Sequence, residues 1–131
     1  MREPKFLTLA EVLYLHDESL HRFGGREGIG DLGLIESAIG SAQNAYWYGG
    51  GDIYEIAAAY AFHIAESQAF IDGNKRTGVA SALAFLLRNG VDAPVDDGTL
   101  YNALMDIANK RLDKIGLIEV MRRFCSKGTR E

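Results

Sequence analysis

Asp72, Lys75 and Arg76 lie within five residues of one another, with Gly73 and Asn74 between them. An ammonium and a fork-shaped guanidinium are the side chains that gather phosphate oxygens. A carboxylate cannot bind phosphate directly, but it suits a Mg²⁺ that bridges phosphate oxygens. The next part of the chain is nearly all apolar: from Val79 to Leu87 the only polar side chain is Ser81. A helix without a polar face must be covered on all sides. Its N-terminus is then fixed in space, with unpaired backbone N–H groups and the positive end of the dipole directed outward. Gly73, Asn74, Lys75 and Arg76 fall at that end, where amides and cations can cradle a phosphate. The plainer alternative makes Asp72 or Asn74 a helix cap, Gly73 a turn, and Lys75 and Arg76 a solvated first turn. Cations in a first turn oppose the dipole, which favours the anion site.

The stretch Phe70–Arg88, a loop and then a buried helix, is therefore what the other elements must position. The 131 residues suit a single domain spanning 1–131 with one core. A hydrophobic fraction of 47% is that of a globular chain. The net charge of −4 argues against a general nucleic-acid or membrane-surface binder. Cys125 is the only cysteine, so no internal disulfide forms. No apolar stretch is long enough to span a bilayer. A cytoplasmic protein is expected. There is no C-x-x-C or H-E-x-x-H spacing and no complete P-loop.

In chain order, Met1–Phe6 reads as a lead-in. Thr8-Leu9-Ala10-Glu11 has capping-box spacing and opens a helix that turns Val12, Leu15, Leu20 and Phe23 inward and stops at Gly24-Gly25. His16 and His21 have no companion ligands and read as partly exposed bystanders. Gly24–Gly30 holds four glycines and is a loop. Asp31 caps a helix over Leu32–Gln43, with Leu34, Ile35, Ala38 and Ile39 apolar. Asn44–Gly51, three aromatics and then three glycines, is not expected to continue it. That segment reads as an extended flap or as aromatics closing the core. Asp52-Ile53-Tyr54-Glu55 caps a helix running to Ser67, on which His63 is expected to be a satisfied core residue. Asn89-Gly90 stops the helix of the Phe70–Arg88 stretch, and Val91–Asp97 is a connector. A helix over Leu100–Asn109 and a last one from Asp113 come next. The last helix carries Ile115, Leu117, Ile118, Met121 and Phe124 as its apolar set, with Arg122, Arg123 and Lys127 solvated. The fold class is all-α: a single-domain bundle of about six helices around a buried central helix.

These residues resemble a known family. Phe70, Asp72, Gly73, Asn74, Lys75, Arg76 and Thr77 match the signature His-x-Phe-x-Asp/Glu-Gly-Asn-Gly/Lys-Arg of the Fic/Doc proteins. Lysine at 75 and Val79 point to the Doc (death-on-curing) branch. Glu11–His16, Phe23-Gly24-Gly25, Gly33–Ala38 and Tyr48-Gly49-Gly50 are similar landmarks, so the likeness runs from about residue 6 to 125. It implies a Fic/Doc-like fold and a toxin of a type II toxin–antitoxin pair. Such a toxin transfers a phosphoryl, or in Fic enzymes a nucleotidyl, group from ATP to a protein hydroxyl, with translation elongation factor as the implied target. On that likeness Asp72 holds Mg²⁺, Gly73 and Asn74 shape the phosphate cradle, Lys75 and Arg76 neutralise charge, and Phe70 anchors the loop. An antitoxin partner lays a helix across the groove.

The departure is at the first signature position. Gln68 stands where the family has the histidine that serves as general base, and Ala69 where many relatives have proline. Losing a positioned base typically costs about 10²–10⁴ in rate. In a loose phosphoryl-transfer transition state, positioning and charge neutralisation carry most of the effect, and glutamine orients the attacking water in some GTPases. Gln68 is thus assigned the role of orienting the hydroxyl. The competing expectations are a non-catalytic Fic-fold module that holds nucleotide or antitoxin, and a helical interaction domain with no ligand.

Overall fold

The computed structural model describes residues 3–91 and 97–125. Most of the connector expected over Val91–Asp97 lies outside them, as do Met1 and Lys127. Among the described residues six helices occur in order: α1 Leu9–Phe23, α2 Leu32–Trp47, α3 Ile53–Ser67, α4 Asn74–Arg88, α5 Asp97–Ala108 and α6 Lys114–Cys125. No strand occurs among the same residues; Ile29 and Phe70 form an isolated antiparallel bridge.

The caps explain where three helices start. Thr8 and Glu11 form the reciprocal capping box of α1, Asp31 accepts from the Leu34 N–H at the start of α2, and Asp52 and Glu55 form a second box on α3. Arg122 of α6 adds an ion pair to Asp52 at 2.5 Å and lies 3.8 Å from Glu55. It is therefore half-buried and engaged, not simply solvated as expected.

The alanines of α3 let α4 approach closely. Ala57, Ala58, Ala59, Ala61 and Ala65 are all buried. A Cβ on Gly78 of α4 would stand 2.7 Å from the Ala61 carbonyl oxygen, so only glycine permits this contact. The more enclosed helix is α3. The expectation that α4 is covered on all sides needs correction: Leu87 is 64% exposed, and Ala80, Leu83 and Ala84 are only half-buried. Ala80 and Leu83 of that row line a cleft beside α1 together with Tyr14 and Leu15.

Three further expectations change. The second helix continues past Gln43 to Trp47, because Tyr46 and Trp47 pack against Phe6, with ring centroids 6.1 and 5.5 Å away. No extended flap forms there; the Gly49 and Gly51 N–H groups turn back onto the Asn44 and Ala45 carbonyls. Phe23, Leu34, Ile115 and Phe124 are exposed, although their spacing points inward. Finally, α5 begins at Asp97, earlier than the Leu100 expected.

Candidate active site

The loop before α4 is held from within. Asn74 is buried, and its side chain closes a ring with Phe70: Oδ1 accepts from the Phe70 N–H, and Nδ2 donates to the Phe70 carbonyl, each at 3.0 Å. The Asn74 side chain is thereby committed to the loop, leaving only its backbone N–H for any phosphate cradle. Gly73 is the N-cap of α4, in the left-handed region at φ 79, and no side chain caps the helix start. The first backbone bond runs from the Thr77 N–H to the Gly73 carbonyl. Phe70 is buried as the expected anchor.

The loop is held from outside by α1 and the glycine segment after it. His16 is buried and stacks face to face on Phe70, with centroids 3.8 Å apart. Its Nε2 lies 2.8 Å from the Asp72 carbonyl oxygen. A carbonyl only accepts, so Nε2 carries the proton. The reading of His16 as a bystander is therefore wrong. Val12, His16 and Leu20, each four residues apart, form the buried stripe of α1, and that period is visible in the sequence. Beyond α1, the Gly30 and Asp31 N–H groups both bond the Ala69 carbonyl, and the Ile71 N–H bonds the Gly28 carbonyl. The glycine loop thus runs alongside the signature residues.

Asp72 is exposed. Its Oδ2 accepts from the Arg26 N–H at 3.1 Å and its Oδ1 from the Gly73 N–H at 3.0 Å. Those two donors, the Arg26 amide first, hold its pKa below the usual carboxylate value. Each oxygen keeps a lone pair for another partner. Arg76 lies between two rings, its Cζ 3.8 Å from the Phe23 centroid and 3.7 Å from the Tyr101 centroid. With a ring on either side, the guanidinium has its edge N–H groups left to bond a groove ligand. Among the described residues Lys75 and Arg76 have no acidic partner.

Gln68, Asp72, Gly73, Asn74, Lys75 and Arg76 all line one open groove of about 390 Å³, with Phe23 and Tyr101 at its wall. Gln68 ends α3 in the left-handed region at φ 54, and its Nε2 donates to the Ala65 carbonyl at 3.2 Å. Its amide oxygen is the group left over to accept a proton-bearing partner. His63 does not line the groove; its Nε2 lies 2.9 Å from Lys114 Nζ, and burial first, then that ammonium, hold its pKa down. Among the described residues no cluster of three metal-ligating side chains exists. A lone carboxylate fits a divalent ion that takes its remaining oxygens from phosphate and water.

Fold and site together define an all-helical protein with an open basic groove at an uncapped helix end. Residues 6–86 match the Fic/DOC family, and the chain belongs to it. Protein kinase doc from Escherichia phage P1 is 35% identical over 121 residues, covering 92% of this chain and 95% of that protein. Toxin Doc from Mycolicibacterium smegmatis is 38% identical over 78 residues, which is 56% of this chain and 58% of that toxin.

Proposed function

We propose that this chain is a Doc-like toxin that transfers the terminal phosphoryl group of ATP to a protein hydroxyl. One observation carries the reading: Asp72, Lys75 and Arg76 converge on a single groove at an α4 terminus that no side chain caps. In the proposed reaction the hydroxyl oxygen bonds the γ-phosphorus as the bond to the β–γ bridging oxygen breaks. ADP leaves. The hydroxyl proton passes to a phosphate oxygen or to water, since an amide cannot take it. Gln68 orients the hydroxyl through its side-chain oxygen. The guanidinium edge of Arg76, the Lys75 ammonium and the first-turn amides stabilise charge on the phosphates. Mg²⁺ arriving with the nucleotide would be held by Asp72 and would neutralise the phosphates further.

The partner and target proposed are those that the family resemblance implies. An antitoxin helix would occupy the cleft of about 520 Å³ between α1 and α4, lined by Tyr14, Leu15, Val79 and Leu83 and ending at Phe23 and Arg76. The target would belong to the translation machinery.

A second reading rests on Gln68 itself. With no general base at that position, the chain would be a binder of nucleotide or antitoxin without transfer. Separate incubations with γ-labelled and α-labelled ATP and a hydroxyl-bearing target decide the matter. Label passing only from γ-labelled ATP supports the phosphotransferase. Label from α-labelled ATP shows a nucleotidyltransferase instead. No label from the wild type, with transfer appearing in Gln68→His, supports the binder. ATP affinity unchanged by Lys75→Ala with Arg76→Ala removes the site assignment altogether.

A further inference from the structure

We infer that His16 is a positioning residue for this groove: through its bond to the Asp72 carbonyl it fixes which way the Asp72–Gly73 peptide points. The functional half of this inference rests on the phosphate reading above; the geometric half does not.

In a trans peptide the C=O and the following N–H point in opposite directions. Directing the Asp72 carbonyl at His16 Nε2, 2.8 Å away, therefore directs the Gly73 N–H away from α1. That N–H bonds Asp72 Oδ1 at 3.0 Å and helps hold the carboxylate in the groove. Apart from that short bond to its own side chain and the one from His16, no hydrogen bond among the described residues holds this peptide plane. Gly73 has no Cβ, and α4 starts without a side-chain cap. A glycine accepts positive and negative φ about equally, so the peptide can rotate by half a turn while its neighbours stay in place. Rotation would exchange a donor for a carbonyl oxygen beside the carboxylate. The two oxygens would repel, and an electronegative atom would enter the region where phosphate is to bind. The flipped state has a negative φ at residue 73, which any residue adopts; the observed φ of 79 favours glycine.

His16 is well built to prevent that rotation. Its ring is clamped on Phe70 at an interplanar angle of 11°, so Nε2 has little freedom to leave the carbonyl. A Cβ on Gly73 would lie 3.6 Å from the same nitrogen, which shows how directly the loop crosses the ring. Phe70 is in turn tied to Asn74 through both of its backbone groups. The histidine, the aromatic anchor and the start of α4 thus form one rigid unit with a single rotatable peptide at its edge.

The test compares His16→Leu, which fills space without a donor, with His16→Gln, whose amide N–H reaches nearly as far as Nε2. Each is checked for wild-type circular dichroism and melting. The Gly73 amide resonance is then followed by NMR, and Mg²⁺–ATP affinity by calorimetry. His16→Leu is expected to shift the Gly73 resonance strongly and to weaken Mg²⁺–ATP binding by tenfold or more. His16→Gln is expected to restore both to within about threefold of wild type. Gly73→Ala keeps the His16 side chain, its own methyl meeting that ring only at ordinary contact distance, and favours the flipped peptide through its φ; it is expected to reproduce the His16→Leu resonance pattern around the loop. A folded His16→Leu with an unmoved Gly73 amide overturns the inference. So does a failure of His16→Gln to restore what His16→Leu loses. If the wild type binds no Mg²⁺–ATP while the Gly73 amide still follows His16, the functional reading fails and the positioning role stands.

Discussion

The start of α3 and the start of α4 receive opposite treatment. At α3, Asp52 accepts from the Tyr54 and Glu55 N–H groups, Glu55 bonds back to the Asp52 N–H, and Arg122 neutralises the acid from α6. At α4, a left-handed glycine precedes an uncapped turn carrying Lys75 and Arg76. The first arrangement satisfies orphan amides and the dipole locally. The second leaves both available and adds positive charge to an already positive pole. Stability is thus supplied at one helix end and withheld at the other, in consecutive helices that pack against each other. The withheld end is the one that opens into the groove.

Substitutions can break this contrast from either side. The largest effect is expected from Lys75→Ala with Arg76→Ala. Phosphoryl transfer should fall by about 10²-fold or more, as when a preorganised oxyanion donor is removed. Thermal melting should barely move, because losing the Arg76 ring contacts, about 0.5–1 kcal/mol each, is offset by relief at the dipole, about 0.3–1 kcal/mol per charge. Melting that drops sharply with transfer intact would make the two cations structural. Asp52→Ala should do the reverse: about 1–2 kcal/mol less stable in urea unfolding from the lost cap, with transfer retained in the folded fraction.

A smaller effect is expected from Gly25→Ala. Its φ is 125, and a Cβ would meet Leu20 at 2.9 Å and Asp72 Oδ2 at 3.1 Å. Displacing the Asp72 carboxylate should weaken Mg²⁺–ATP several-fold in calorimetry, and the strained backbone should lower stability by about 1 kcal/mol. The smallest effect concerns acid. Burial works to raise the Asp52 pKa, but the Glu55 amide and the Arg122 guanidinium outweigh it, and the net direction is down. A depressed acid contributes stability above its unfolded value of 3.8 and loses it as pH falls through the folded value. Because the pair is about 41% exposed, the loss should be under about 1 kcal/mol. Unfolding midpoints measured from pH 5 downward should show it in the wild type and not in Asp52→Asn.

Much of this contrast is legible in the sequence. Thr8-x-x-Glu11 and Asp52-x-x-Glu55 declare their helices because a cap is a short-range device. The cluster from Asp72 to Arg76 is a short-range pattern too, and its members line one groove. What escapes is whatever depends on distant partners. His16 meets Asp72 across 56 residues, and Phe23 and Tyr101 meet Arg76 from different helices. The aromatics at 46 and 47 continue α2 because Phe6 gives them a surface, which the local run of glycines conceals. The composition of α4 suggests full enclosure, yet its open row is an apolar surface left beside α1. Composition cannot distinguish a core face from a docking face.

The opposite end of α4 bears on how the chain is made. Lys5 and Asn89 exchange a pair of amide hydrogen bonds across 84 residues, and Arg88 holds Glu11 and the Phe6 carbonyl. At about 5–20 residues per second, a ribosome takes on the order of ten seconds between those two points. Throughout that interval Lys5 and Glu11 lack these α4 partners, although Phe6 already has Tyr46 and Trp47 to rest on. Residues made early thus wait for partners made much later, and until α4 appears the side of α1 that it covers is open to a chaperone or a binding partner.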